Sequence, residues 1–177
     1  IPVDTALGLP HRRLSIIDLE GGAQPMSTTA PALVVSYNGE VYNYVELMRE
    51  LGAKGHVFHT RSDTEVLLRA YAEWGLDFVS HLNGMFAFAL WDPGRRRLVL
   101  GRDRLGVKPL FYAETRDGVV FASEMKALVG VPSLDLSLHL GALAEYLMLG
   151  YVVHPRSMLS GISKLGPGEL RVYEVDR

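Results

Sequence analysis

The sequence predicts an α+β protein in which two layers of mainly antiparallel sheet have helices outside them. Three observations support this prediction. Apolar runs occur in pairs separated by turn residues, which is typical of β-hairpins. Helical periodicity is found in the first half of the chain and again near its end. With 177 residues, 48% of them hydrophobic, the chain is long enough to bury a core and is expected to fold as a single unit.

The first elements are two strands and a short helix. The strands are predicted at Ile16 and Ile17 and over residues 33–37, where β-branched and aromatic residues are concentrated. The helix is predicted over residues 46–51 and is expected to stop at Gly52.

A second helix is signalled by the segment Ser62-Asp63-Thr64-Glu65, which has the S-x-x-E spacing of a capping box. In such a box the serine and glutamate side chains satisfy unpaired N–H groups at the start of a helix. Apolar residues then repeat at intervals of three and four through Trp74. The helix is expected to end at Gly75.

Two hairpins are predicted after this helix. Residues 85–91 form an apolar run too short for an ordinary helix, and they should pair with residues 98–100. The connecting turn is Asp92-Pro93-Gly94-Arg95, in which the glycine is expected to take the positive φ. Residues 110–113 should pair with 119–122.

The last predicted elements are a helix from about Leu140 to Leu149 and a strand over residues 170–173.

Charge and composition exclude several classes of function. The net charge is −2, and the cluster Arg95-Arg96-Arg97 has no aromatic residues beside it, so it is interpreted as a solvated turn rather than a nucleic-acid patch. Without cysteine, the chain as given has no disulfide, thiolate metal site or cysteine nucleophile. The six histidines show no metal-ligand spacing, and no apolar run reaches the length of a membrane span. The chain starts at Ile1 without methionine or a signal peptide and is expected to be a piece of something longer.

Five short blocks carry most of the functional information. In order they are His11-Arg12-Arg13-Leu14-Ser15-Ile16-Ile17-Asp18, Asn38-Gly39-Glu40-Val41-Tyr42-Asn43, Ser62-Asp63-Thr64-Glu65, Gly101-Arg102-Asp103-Arg104-Leu105-Gly106-Val107-Lys108-Pro109-Leu110 and Ser123-Glu124-Met125-Lys126-Ala127-Leu128. With these blocks the chain resembles, over essentially its whole length, the class II glutamine amidotransferase domain of glutamine-hydrolysing asparagine synthetases.

The resemblance implies a four-layer αββα sandwich of the N-terminal-nucleophile hydrolase type, lacking its first strand and helix. Residues 1–177 would form this one domain, and residues from about 137 would lead toward a synthetase domain absent from the sequence. In the family an N-terminal cysteine attacks the side-chain amide of glutamine, and a glutamyl thioester forms and is hydrolysed. The released ammonia then reaches the second domain, which adenylates aspartate with ATP and magnesium.

The resemblance also implies a glutamine pocket without a metal or cofactor. Its partners would be L-glutamine and the synthetase domain, with no nucleic acid and no membrane; a cytoplasmic location is expected, and a homodimer is compatible with the family. The positions that match the family's substrate contacts are Arg13, Leu14, Ser15, Ile16, Ile17, Asn38, Gly39, Glu40 and Asp63.

Asn38 and Gly39 match the family's oxyanion hole. A side-chain NH₂ beside an unsubstituted backbone N–H at a strand end suits that chemistry, because an amide carbonyl under attack needs donors where its oxygen becomes negative. Taken alone, the Asn-Gly dipeptide is more typical of a hairpin turn. The other four blocks favour the oxyanion role.

Three further side chains match family positions. Arg13 corresponds to the arginine that pairs with the α-carboxylate of glutamine, where a planar guanidinium makes two parallel hydrogen bonds. Its neighbour Arg12 is interpreted as a surface residue. Asp63 corresponds to the acid that receives the α-ammonium, although its place after Ser62 also suits helix capping. Glu40 would line the same pocket, but an exposed turn acid has the same appearance in sequence.

The block over residues 101–110 has glycines and cations, but it lacks the Gly-Lys-Ser/Thr ending of a phosphate loop. In the resembled family it is largely structural.

The absence of cysteine leaves three interpretations, and in each the chain as given is expected to be inactive. The first is an active asparagine synthetase with Met-Cys encoded ahead of Ile1. The second is a synthetase relative, such as the β-lactam synthetase type, whose domain has lost its nucleophile. The third is a binding or sensor module for free glutamine. The joint presence of Arg13, Asn38, Gly39 and Asp63 argues against the second, because a domain that no longer uses glutamine does not need the whole pocket; of the three, the first is preferred.

Overall fold

A computed structural model describes residues 2–4, 7–8 and 22–174 of the chain. The chain divides into two compact units, Ile1–Leu100 with Arg171–Arg177, and Gly101–Leu170. The strand predicted at Ile16 and Ile17 lies outside the described residues.

The helices and strands predicted within the described residues occur in the predicted order, together with several short elements that were not predicted. The α-helices are α1 Tyr44–Ala53, α2 Asp63–Trp74, α3 Phe78–His81 and α4 Leu140–Leu149. The strands are β1 Pro2–Asp4, β2 Leu7–Gly8, β3 Met26–Thr29, β4 Ala32–Val41, β5 Gly84–Asp92, β6 Arg97–Arg102, β7 Phe111–Thr115, β8 Gly118–Ala122, β9 Ser163–Lys164 and β10 Leu170–Glu174.

The first unit is built on a five-stranded sheet in the order β10-β6-β5-β4-β3. Strand β4 pairs antiparallel with β5 over eight residues, from Val34 opposite Trp91 to Val41 opposite Gly84. Strand β3 pairs only with the first part of β4, from Ala32 to Val35. The later part of β4 therefore has no described strand on its second edge. Strands β1 and β2 pair with each other and form a separate two-stranded antiparallel sheet.

Aromatic side chains of α2 and α3 pack together against β5 of this sheet. The ring of Phe78 packs edge-on against Tyr71, with centroids 5.7 Å apart, and lies 5.4 Å from Phe88 of β5. All three side chains are buried. Burying large apolar side chains of this kind contributes about 1.5–3 kcal/mol each.

Both ends of α2 agree with the sequence, but the capping box is only half formed. Ser62 caps the helix by accepting a hydrogen bond from Thr64 N–H at 3.2 Å, and Gly75 ends it with a φ of 58°. Glu65 does not reach back to Ser62. Its carboxylate instead accepts hydrogen bonds from the backbone N–H groups of His59 and Thr60.

Two local predictions about glycine are wrong. Helix α1 continues through Gly52 to Ala53, and the Lys54 N–H still donates to Glu50 O. In the turn between β5 and β6 the positive φ falls on Arg96, at 51°, and not on Gly94. The Asp92 carboxylate holds this turn by accepting a hydrogen bond from Arg95 N–H at 3.0 Å.

The second unit contains a three-stranded antiparallel sheet in the order β8-β7-β9. The hairpin of β7 and β8 and the bounds of α4 are as predicted. A small core forms where Ala113, Leu128 and Ile162 are buried together.

Candidate functional site

The candidate site lies along one edge of β4, where the strand extends past β3. In a β-strand successive N–H groups point alternately to the two edges. Tyr37 N–H donates to Gln24 Oε1 at 2.7 Å, and Val41 N–H donates to Asp63 Oδ2 at 3.1 Å. Both bonds lie on the edge away from β5. Gly39 lies between Tyr37 and Val41 in the sequence, and strand alternation predicts that its N–H points to the same edge.

Only glycine fits at position 39. Its φ is 153°, far from the value near −140° of a regular antiparallel strand, so the peptide group joining Asn38 to Gly39 is rotated relative to its neighbours. A Cβ atom there would stand 2.1 Å from Met85 O and 2.7 Å from Phe86 Cα. Asn38 and Gly39 therefore lie inside a paired strand, and the alternative of a hairpin turn at this dipeptide is wrong.

Asp63 connects the start of α2 to this edge of β4. Its side chain is almost wholly buried, and Oδ2 accepts hydrogen bonds from Tyr37 Oη at 2.8 Å and from Val41 N–H at 3.1 Å. Those two donors lie on either side of Gly39 in the sequence. Ser62 provides the helix cap. Asp63 is thus bonded to the strand, and the structure brings it to the same edge as the Gly39 N–H.

Tyr37 is the residue of this site that sequence reasoning missed. Burial, followed by the negative charge of Asp63, raises the pKa of the Tyr37 hydroxyl well above its ordinary value, so the hydroxyl stays protonated and donates to Asp63. Gln24, which accepts from Tyr37 N–H, also donates from Nε2 to Thr64 Oγ1 at 3.4 Å. The only signal in the sequence was alternation, which places Tyr37 and Val41 on one face of β4.

The remaining predicted residues divide into two groups. Asn38 and Glu40 are half-buried on β4, where alternation directs their side chains to the face opposite Tyr37. Glu40 is near enough for its charge to contribute to the raised pKa of Tyr37. Arg13, Leu14, Ser15, Ile16 and Ile17 lie outside the described residues.

The block at residues 101–110 forms a backbone-binding network in the second unit. The guanidinium of Arg102 donates to three carbonyl oxygens, those of Gly106, Lys108 and Leu165, each at 2.6 Å. The buried carboxylate of Asp103 accepts from the N–H groups of Leu105, Val107 and Lys108. These charged side chains order the loop itself, which is a structural role.

Metal-ligand clusters and membrane-spanning helices are both absent from the described residues. Residues 2–4, 7–8 and 22–174 contain no group of three or more acidic or histidine side chains placed to hold a metal ion. None of the described helices is long and apolar enough to cross a membrane.

Comparison with protein families identifies one that spans the chain. A family model described as a glutamine amidotransferase domain matches residues 1–177. Asparagine synthetase [glutamine-hydrolyzing] 3 of Bacillus subtilis is 43% identical over 169 residues, covering 94% of this chain and 28% of that protein. Asparagine synthetase B [glutamine-hydrolyzing] of Escherichia coli is 46% identical over 124 residues, covering 70% of this chain and 22% of that protein. The chain spans about a quarter of the length of these relatives.

Solved structures give the same result for the fold. Glutamine phosphoribosylpyrophosphate amidotransferase from B. subtilis, complexed with ADP and GMP, matches with a TM-score of 0.56 and 24% identity, covering 84% of this chain and 29% of that chain. The allosteric regulatory enzyme of purine biosynthesis matches with a TM-score of 0.60 and 22% identity, covering 90% and 32%. At these identities the likeness shows the fold alone, and it confirms the α+β prediction.

Proposed function

Because the chain belongs to the glutamine amidotransferase domain family, we propose that it is the glutamine-hydrolysing, ammonia-donating domain of an asparagine synthetase. The observation that carries the proposal is the edge of β4, where Gly39 lies between Tyr37 and Val41 and the N–H groups of those two residues bond to Gln24 and Asp63. This edge combines an unsubstituted backbone donor with a buried carboxylate. Glutamine has an amide oxygen that such a donor could bind and an α-ammonium group that such a carboxylate could bind.

The proposed roles follow from the charges that develop on glutamine. The side-chain amide of Asn38 and the N–H of Gly39 stabilise the oxygen of the tetrahedral intermediate, and each such donor contributes about 10²–10³ in rate. The carboxylate of Asp63 receives the α-ammonium. Arg13 pairs with the α-carboxylate, with residues 14–17 and Glu40 lining the same pocket. Substrate is thereby fixed at both ends of its backbone while its amide meets the oxyanion donors.

The proposal divides the whole reaction between this chain and the rest of the gene product. Residues 1–177 form one amidotransferase domain that uses L-glutamine and needs no cofactor of its own. The nucleophile is a cysteine encoded ahead of Ile1. ATP, magnesium and aspartate are used in a synthetase domain beyond this chain, in the part of the relatives that the chain does not match. We further propose a cytoplasmic location and no nucleic-acid or membrane partner.

The test is made in the full-length gene product with Asn38→Ala. Glutamate release from L-glutamine should fall by about 10²–10³, because one oxyanion donor is lost. Asparagine formation from added ammonia should stay within about twofold of the unchanged protein, since ammonia bypasses the amide-cleaving step. Equal loss of both activities would reject the oxyanion role.

The same assay separates the alternatives. A relative that has lost its nucleophile would form its product without consuming glutamine. A glutamine-binding module would bind L-glutamine in calorimetry and release no ammonia. Either result with the unchanged full-length protein would reject the proposed function.

A further inference from the structure

Tyr37 stands behind the proposed ammonium-binding carboxylate without being part of the predicted pocket. Its hydroxyl donates to Asp63 Oδ2 at 2.8 Å, and its own side chain is buried. The same oxygen also accepts from Val41 N–H at 3.1 Å. Both contacts use Oδ2 and neither uses Oδ1. A carboxylate fastened through one oxygen has a fixed plane, which directs its second oxygen.

The backbone of Tyr37 is also held by a hydrogen bond to a side chain. Its N–H donates to Gln24 Oε1 at 2.7 Å, and Gln24 Nε2 donates to Thr64 Oγ1, next to Asp63 on α2. Gln24 therefore bonds to both β4, which carries Tyr37, and α2, which carries Asp63. A carboxylate near the start of a helix could rotate about two side-chain bonds, and these contacts remove that freedom.

We propose that Tyr37, held by Gln24, is a positioning residue that orients Asp63 so that Oδ1 receives the α-ammonium of the amino-acid substrate. The inference rests on the proposed function, since it concerns the same site. Tyr37 does not touch the substrate. It acts by limiting the orientations of Asp63, so it sets recognition of the ammonium group and leaves the oxyanion donors at Asn38 and Gly39 unchanged.

The chain offers a closely matched control. Tyr71 is also buried, and its hydroxyl also donates to a buried carboxylate, Asp92 Oδ2, at 3.0 Å. This second pair lies where β5 enters its turn, and no predicted substrate contact belongs to it. Tyr71→Phe removes the same chemical group as Tyr37→Phe from a similar environment. A general effect of losing a buried hydroxyl appears in both variants.

The experiment uses the full-length gene product and two amides, L-glutamine and glutaramate, which is glutamine without its α-amino group. Discrimination is the ratio of kcat/KM for the two compounds. Tyr37→Phe should raise KM for L-glutamine and lower discrimination about 3- to 10-fold with kcat little changed, because a charge-assisted hydrogen bond is lost from the positioning group. Asp63→Asn should lower discrimination about 10- to 150-fold. Tyr71→Phe should leave it unchanged.

Each outcome decides one question. Loss of discrimination in Asp63→Asn together with unchanged discrimination in Tyr37→Phe overturns the role of Tyr37 and leaves the proposed function standing. Absence of ammonia release from L-glutamine in the unchanged protein rejects the proposed function, and the inference with it. If Tyr37→Phe does not fold, Gln24→Met removes the acceptor of Tyr37 N–H while keeping the side-chain length. Unchanged discrimination in Gln24→Met would then overturn the proposal.

Discussion

The buried carboxylate of Glu65 accepts a hydrogen bond from the guanidinium of Arg69, one turn further along α2, at 3.2 Å. Both side chains are buried, so the pair is shielded from water. The same carboxylate accepts from the N–H groups of His59 and Thr60 and from Thr60 Oγ1. One side chain thus fixes the loop that leads into α2, which begins at Asp63.

Glu65→Gln should destabilise the fold by about 3–5 kcal/mol, because it leaves the charge of Arg69 buried without its partner. The free energy of unfolding, measured by chemical denaturation, checks this. Glu73→Gln is the control, since Glu73 lies on the same helix and pairs with Lys54 and His56 at the surface. Surface pairs are screened by water, so this change should cost far less. Similar losses in the two variants would contradict the argument.

A second prediction concerns the requirement for glycine at position 39. Gly39→Ala should cost at least about 3 kcal/mol, because the new Cβ would stand 2.1 Å from Met85 O and the φ of 153° is strained for alanine. Gly52→Ala, inside α1 with nothing within 4 Å, should stabilise the protein by about 0.5–1 kcal/mol. Thermal unfolding of the two variants measures the contrast. If Gly39→Ala were as stable as the parent, β5 would have to move away from the new Cβ without a loss of stability, and the prediction would be wrong.

The parts of the fold that the sequence predicts are those governed by local chemistry. Helix α2 begins after Ser62 and ends at Gly75 because a side-chain oxygen and a positive φ satisfy its ends. The hairpin of β7 and β8 follows from two apolar runs separated by Arg116 and Asp117. In these segments neighbouring residues determine the conformation.

The errors have a different physical origin. The strand predicted over residues 33–37 continues to Val41, because eight-residue pairing with β5 keeps Asn38 and Gly39 in the sheet. Glycine at position 94 was expected to take the positive φ, yet the bond from Arg95 N–H to Asp92 shifts that requirement to Arg96. In the first case a long-range strand pairing decides the backbone, and in the second a side-chain bond within the turn does.

The candidate site was predictable only in part for the same reason. Asp63 and Gly39 were identified through motifs, and the structure brings them to one edge. Tyr37 meets Asp63 across 26 residues, and Gln24 meets Tyr37 across 13, so no short pattern contains these contacts. Supporting residues of a site depend on tertiary packing, and motifs identify mainly the residues that meet the ligand.

The third prediction is a pH dependence that follows from the raised pKa of Tyr37, caused first by burial and then by the charge of Asp63. An unfolded tyrosine loses its proton near pH 10, whereas native Tyr37 keeps it. The stabilisation is therefore fully present below about pH 10 and is lost as the pH rises further. Each proton kept only in the native state lowers the free energy of unfolding by about 1.4 kcal/mol per pH unit.

Tyr37→Phe should therefore make the decline in the free energy of unfolding between pH 10 and 11 shallower by about 1 kcal/mol, because an unfolded tyrosine is only half ionised at pH 10. Chemical denaturation at a series of pH values measures this slope, and the absorbance of tyrosinate in native and unfolded protein counts the protons directly. Between pH 7 and 9 the slopes of the two proteins should agree, because tyrosine is protonated in both states there. Parallel curves up to pH 11 would mean that Tyr37 ionises in the native protein, and the hydroxyl could not then donate to Asp63.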